Sequence, residues 1–416
     1  MEELWASRPR PHGREETVAT SDSRRRHLPA LDRRAFLRTL AVGGAGLLAG
    51  CQGAPTPRPA GAPTVGPGGA PSTASAPADW DALVAAAKQE GQLVLHGPPN
   101  PDTRQMVPEA FTRRFGIPVE YNAVRTNELA AKMVAEKQAG LVTVDVMMIG
   151  LGTFADVLYP NGMLADVRSA LILPEVTDPT VWLMEPADLF LDPEHTRLMR
   201  LFYTATCPLA INRDYADPAL IKSAQDLLRP ELKGKLSAED PTVSGSGANT
   251  ATHLYLLFGE DFVRRLYLDQ AVTTRDYRQR ADWLVRGTQP IALFMNAPDI
   301  DRAQKDGFPV DVVRTLPDLP GTTSSTFGVV GLIDGGPHAN AARVFVNWIA
   351  SREGLEVFSR AERVPGTRKD LDYAQWVPEY TIPLPGVNYL DTYTWDFKAN
   401  TQPAAAAKVK EILAGR

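Results

Sequence analysis

From residue 79 onward the chain alternates short apolar strands with helices, and that alternation restricts it to one class of architecture. Residues 79–90 (DWDALVAAAKQE) start on an acid, carry helical periodicity and stop at Gly91. The spacing then predicts a strand at 92–96, a helix at 103–115, a strand at 117–121, a helix at 127–139 and an apolar strand at 144–149. The middle repeats the pattern, with helices at 247–258, 261–269 and 280–286 and a strand at 290–294. Strands at 310–314 and 327–333 and a helix at 339–351 follow. Such alternation implies mostly parallel strands flanked by helices, an α/β fold. Because a single core stops growing at roughly 250–300 residues, 416 residues call for two lobes.

Several function classes fall away. No stretch reaches the roughly 20 apolar residues of a spanning helix, and a net charge of −5 gives no basic footprint for nucleic acid. The two cysteines, Cys51 and Cys207, cannot make a disulfide framework or a cysteine-rich metal site. There is no Cys-x-x-Cys, no paired-histidine spacing and no dinucleotide glycine fingerprint, so neither metal, cofactor nor catalytic residue is expected. Cys207, within ATCPL, reads as a buried small hydrophobe.

The first 78 residues read differently. Residues 1–50 hold nine arginines and six acids, then switch to the apolar run TLAVGGAGLLAG that ends at Cys51. This is the layout of an export signal. The stretch DRRAFLR at 32–38 resembles a twin-arginine motif, and LAGC at 48–51 resembles a lipobox in which Cys51 is acylated. Of residues 52–78, 24 of the 27 are Ala, Gly, Pro, Ser or Thr, a tether that cannot bury enough apolar surface to order itself. Cleavage before Cys51 would leave 35 basic against 43 acidic residues, a charge of −8. An acidic body of that kind needs its lipid to stay at a membrane.

In open α/β sheets ligands bind beyond the carboxyl ends of the strands. The turns there read HGPPN at 96–100, NAVRTNE at 122–128, GLGT at 150–153 and MNA at 295–297, all small or polar. Further on, SGSG at 244–247 opens a helix. Its backbone N–H groups and hydroxyls suit an anionic oxygen, although the same residues make an ordinary serine N-cap.

Four segments resemble the extracellular solute-binding proteins of ABC importers, in the ferric-iron-type branch. They are FGIPVEY at 115–121 with ELAAK at 128–132 and DVM at 145–147; PELKGKL at 230–236 with Asp240-Pro241 and SGSG; HANAARVFVNWI at 338–349 with SREG at 351–354; and VPGTR at 364–368. The resemblance implies a two-lobed periplasmic-binding-protein fold with hinge strands, the segment at 202–211 among them. It places the first lobe at 79–206 plus 317–350 and the second at 207–316 plus 351–416. It also implies a non-enzymatic, monomeric binding subunit that delivers a small solute to ABC permease subunits. Iron binders of the branch carry adjacent tyrosines where this chain has Met295-Asn296, poor ligands for a hard ferric ion. The resemblance therefore points to an anionic or zwitterionic solute, with ferric iron or an iron chelate as the alternative. A secreted enzyme on a related two-lobed fold is the alternative from another class.

The residues expected at the ligand are His96, Arg125, Thr126, Asn127, Gly152, Thr153, Ser244, Gly245, Ser246, Gly247, Arg278 and Asn296. Arg278 stands where the family presents a polar contact and could grip an oxyanion bidentately, but it also reads as a solvated arginine beside Arg275 and Arg280. His96 also reads as a packed strand-end residue.

Overall fold

A computed structural model describes residues 79–123, 126–242 and 246–414. The expected signal segment, Cys51 and the tether lie outside these residues. In chain order the strands are β1 (Leu93–Gly97), β2 (Val119–Ala123), β3 (Val146–Ile149), β4 (Leu198–Arg200), β5 (Thr204–Thr206), β6 (Leu209–Asn212) and β7 (Leu236–Glu239). They continue with β8 (Ala271–Thr274), β9 (Ile291–Leu293), β10 (Val310–Val313), β11 (Thr322–Ser324), β12 (Val329–Leu332) and β13 (Leu390–Asp391). The longer helices are α1 (Trp80–Glu90), α2 (Pro101–Phe115), α3 (Thr126–Gln138), α4 (Ser246–Arg264), α5 (Tyr277–Arg286), α6 (Ala297–Lys305), α7 (Ala339–Ala350), α8 (Arg352–Glu362) and α9 (Gln402–Leu413).

Local chemistry sets most boundaries. Asp79 caps α1 and Gly91 ends it in the left-handed region; Asn100 and Gly116 do the same for α2. Gly259, at φ 78, kinks α4 where the sequence pattern broke between two helices.

Two five-stranded sheets result, in the orders β2-β1-β3-β12-β4 and β10-β6-β9-β7-β8. In the first, β1 runs parallel to β2 and β3, while β12 runs antiparallel to β3 and β4. In the second, β7 is parallel to β8 and β9. Period-two alternation divides each sheet between two cores. Leu93, Leu95, Val146 and Met148 pack with Phe111, Phe345 and Trp348 on one face of the first sheet. Met147 and Ile149 turn to Leu129, Met133 and Phe154 on the other. In the second sheet Leu209, Ile211 and Leu236 meet Leu254, Phe262 and Val409, and Ala210 and Ala292 meet Leu284 and Ile300.

Two expectations need correction. The hinge segment at 202–211 is not one strand: it breaks into β5 and β6 at Cys207-Pro208, because proline has no N–H to donate to a ladder. The boundary at 351 would give α8 to the second lobe, yet Leu355 and Phe358 lie in the first core, where Phe358 stacks on Phe202 at 4.3 Å. The hinge also has a member the sequence pattern did not suggest. β5 and β11 pair antiparallel, and β13 from the C-terminal segment adds a third strand beside β11.

Candidate functional site

The carboxyl ends of β1 and β3 belong to the first sheet, those of β7, β8 and β9 to the second, and β5 and β11 connect the two bodies. Between the bodies lies a cavity of about 680 Å³. The first body contributes Asn100, Glu362 and Arg363; the second contributes Asn296, Asp301, Arg302 and Lys305. The hinge strands supply Thr204, Thr206 and Ser324, and Thr326 and Phe327 follow β11 into the first body.

Its walls carry charge of both signs. Arg363, in the left-handed region at the end of α8, reaches Asp301 of α6 at 3.2 Å and so ties one body to the other. Asp301 also takes Lys305 at 2.8 Å. The Arg302 side chain is exposed on this wall and makes no hydrogen bond or ion pair among the described residues. Burial raises the pKa of Glu362, which accepts a hydrogen bond from the Thr103 hydroxyl. The Asn296 Oδ1 and Thr326 Oγ1 atoms are buried without a protein partner. Phe294 and Thr326 both sit at φ 45, a conformation that costs a non-glycine residue energy and gathers at functional sites. Phe327 leaves 38% of its surface open. Cys207 also lines the cavity, but burial pushes its thiol up to about 12 and Sγ donates to the Tyr380 carbonyl. A thiol held protonated is no nucleophile.

Of the residues expected at the ligand that are described, only Asn296 lines this cavity. Arg125, Ser244 and Gly245 lie outside the described residues, as do the side chains of Thr126 and Asn127. His96 is buried at the end of β1, where burial and then the Lys132 charge lower its pKa to about 4, so the ring is neutral. Gly152 and Thr153 form a short helical turn after β3. Ser246 donates to the Glu239 carboxylate and lies 3.1 Å from the Tyr277 hydroxyl. Gly247 has a packing reason: a Cβ there would sit 2.5 Å from the Asp240 carbonyl oxygen.

Arg278 does not reach inward. Asp276 caps α5 and phases the helix so that Arg278 is exposed, its side chain without a described partner, while Arg280 turns in. Arg280 donates to Glu239 at 3.1 Å and to the Leu293 carbonyl at 2.6 Å. Neither Arg278 nor Arg280 lines the cavity. Arg302, Arg363 and Phe327 were missed altogether. The signal available for Arg302 was its place on the helix that starts from the Met295-Asn296 turn.

Among the described residues no group of three or more His, Cys, Asp or Glu could hold a metal ion. Tyr121 donates its hydroxyl to Pro98 and Tyr393 donates to Thr326. Burial raises both, Tyr393 to about 12.

The family model described as bacterial extracellular solute-binding protein matches residues 97–356. An uncharacterized protein of Haemophilus influenzae is 22% identical over 287 residues, 66% of this chain and 78% of its own. Iron-bound HitA from Pseudomonas aeruginosa is 18% identical, covering 76% of this chain and 99% of its own at a TM-score of 0.56. AfuA from Actinobacillus pleuropneumoniae, solved with fructose-6-phosphate bound, is 18% identical, covering 78% and 99% at 0.52. These structural likenesses establish the two-lobed α/β periplasmic-binding-protein fold. The family match spans well over half of the 416 residues, so the chain belongs to the bacterial extracellular solute-binding proteins.

Proposed function

We propose that the chain is the solute-capturing lipoprotein of an ABC importer and that it binds a small anionic or zwitterionic organic solute, such as a phosphate ester, phosphonate or carboxylate. Family membership makes it a non-enzymatic transport component. The observation that carries the substrate class is Arg302, a guanidinium without a partner on the wall of a cavity built from both bodies. At about 680 Å³ that cavity falls within the roughly 300–1,000 Å³ of organic-ligand pockets. The idle Asn296 and Thr326 oxygens add acceptors for solute hydroxyl or amino groups.

In this reading the lobes are 79–203 with 326–377, and 207–316 with 397–414, joined by the hinge strands and the segment at 378–396. A solute that touches both lobes favours the closed state by its differential affinity, and the permease responds to closure. The Arg363–Asp301 pair adds a small ligand-independent bias towards closure. Cys51, acylated after twin-arginine export, anchors the tether, and the binding domain faces the periplasm or cell exterior.

Calorimetric titration tests the substrate class, with fructose 6-phosphate, a phosphonate, citrate, ferric citrate and ferric ion as probes. Binding of at least one organic anion is expected, and weakened binding in Arg302→Met. A response to ferric ion alone sinks the reading.

A further inference from the structure

The first sheet has a ligand-ready end that faces away from the gap. β12 runs antiparallel to β3, and Leu332 at its carboxyl end pairs with Val146, the first residue of β3. The carboxyl end of β12 therefore opens at the far edge of the sheet, and ligands of α/β sheets gather beyond such ends. The chain turns there through Gly335, at φ 77, and enters α7. A hollow of about 360 Å³ lies between this turn and the segment at 165–170. Leu332, Ile333, Ala170 and Ala342 give it a buried apolar lining. Arg343 of α7 lines it half-buried, and Asp166 stands exposed beside it.

Most polar groups around the hollow are already engaged. The buried Asp145 carboxylate holds the N–H groups of Val94 and His338 and the His338 ring. The N–H groups of Asn340 and Ala341, in the first turn of α7, go to Glu90. Asp334 pairs with Lys137 at 3.7 Å. Asp166 uses only Oδ1, which accepts from the Ser169 N–H, and its Oδ2 has no partner among the described residues. Arg343 carries five N–H donors, enough to take a carboxylate beside its other contacts. Burial lowers its pKa, and a carboxylate next to it would favour the charged form again. We propose that this hollow is a second ligand site, for a small aliphatic amino acid. The carboxylate of the ligand meets Arg343, its ammonium group meets Asp166, and its side chain lies on the apolar lining. The volume stands at the lower end of the roughly 300–1,000 Å³ of organic-ligand pockets, room for one such molecule. Because the hollow belongs to the first body alone, it is independent of the anionic-solute reading of the gap.

The test is calorimetric titration of the full chain with L-leucine, 4-methylpentanoate and 3-methylbutylamine, the last two each lacking one of the two charges. L-leucine should bind, 3-methylbutylamine about tenfold or more weakly, and 4-methylpentanoate about two- to fivefold more weakly. Arg343→Met should weaken L-leucine about tenfold or more. Asp166→Asn, at an exposed position, should weaken L-leucine about two- to fivefold and leave 4-methylpentanoate unchanged. Arg302→Met should leave L-leucine binding as it is. Absence of L-leucine binding to the wild-type chain overturns the inference and leaves the reading of the gap intact. Binding that Arg302→Met abolishes, and that Arg343→Met and Asp166→Asn spare, also overturns it, because the amino acid is then the solute of the gap. Should Arg343→Met fold poorly, Asp166→Asn decides: equal L-leucine affinity in that variant and the wild type removes the site.

Discussion

The two bodies each bury an arginine to about 1% side-chain exposure, and they treat it differently. Arg368, in the first, engages all three of its guanidinium nitrogens. Nε and Nη2 grip Asp370, and Nη1 serves the carbonyls of Glu175 and Ala350. Arg280, in the second, leaves Nε without a partner while Nη1 meets Glu239. Arg200, at the hinge, also has an idle Nε. The complete arginine belongs to the packing of the first core, and the incomplete ones stand where the sheets end facing the gap.

Shared histidine burial allows the largest test of how alike the bodies are. His96 in the first and His253 in the second both have pKa values lowered to about 4, chiefly by burial. A depressed value means that the unfolded chain takes the proton first as pH falls. Stability should thus be intact above pH 6.5 and lost between there and pH 4, by about 1.4 kcal/mol per pH unit for each ring. Urea midpoints across that range should slope accordingly, and His253→Leu should remove one proton from the slope. An unaltered slope would mean that the two rings are not equivalent.

Arg368→Met would leave two carbonyls and a carboxylate without their donor, a loss of about 3 kcal/mol read from denaturant melts, with solute affinity unchanged. Arg280→Met should cost less stability, about 2 kcal/mol, since fewer bonds are lost. It should also weaken solute binding by freeing the Glu239 charge. If the two variants lose affinity equally, the contrast between a structural and an edge arginine fails. The smallest effect is expected at the half-exposed Arg363–Asp301 pair. Arg363→Ala should change melting by under about 1 kcal/mol and shift small-angle scattering towards the open form, both differences fading in high salt.

The alternation of strands and helices was legible because period-two and helical patterns are local. Caps such as Asp79, Asn100 and Gly116 mark boundaries within a residue or two. The break of the hinge strand at Pro208 was legible in principle, since a missing donor is a property of one residue. The site was less legible. Helix phase depends on the Asp276 cap, so a shift of two positions separates the solvated Arg278 from the buried Arg280. Arg363 becomes a neighbour of the gap only through contacts between distant segments, and nothing in its local sequence distinguishes it from a surface cation.

The late position of β13 and α9 in the chain sets an order of assembly. Val409 and Leu413 complete the core of the second body, and Leu390-Asp391 complete the hinge sheet. The second body can therefore complete its core only once α9 has emerged, long after its own sheet. Until then the carboxyl ends of β7 and β9 lack the segment that spans the gap, and a nascent chain cannot hold its solute.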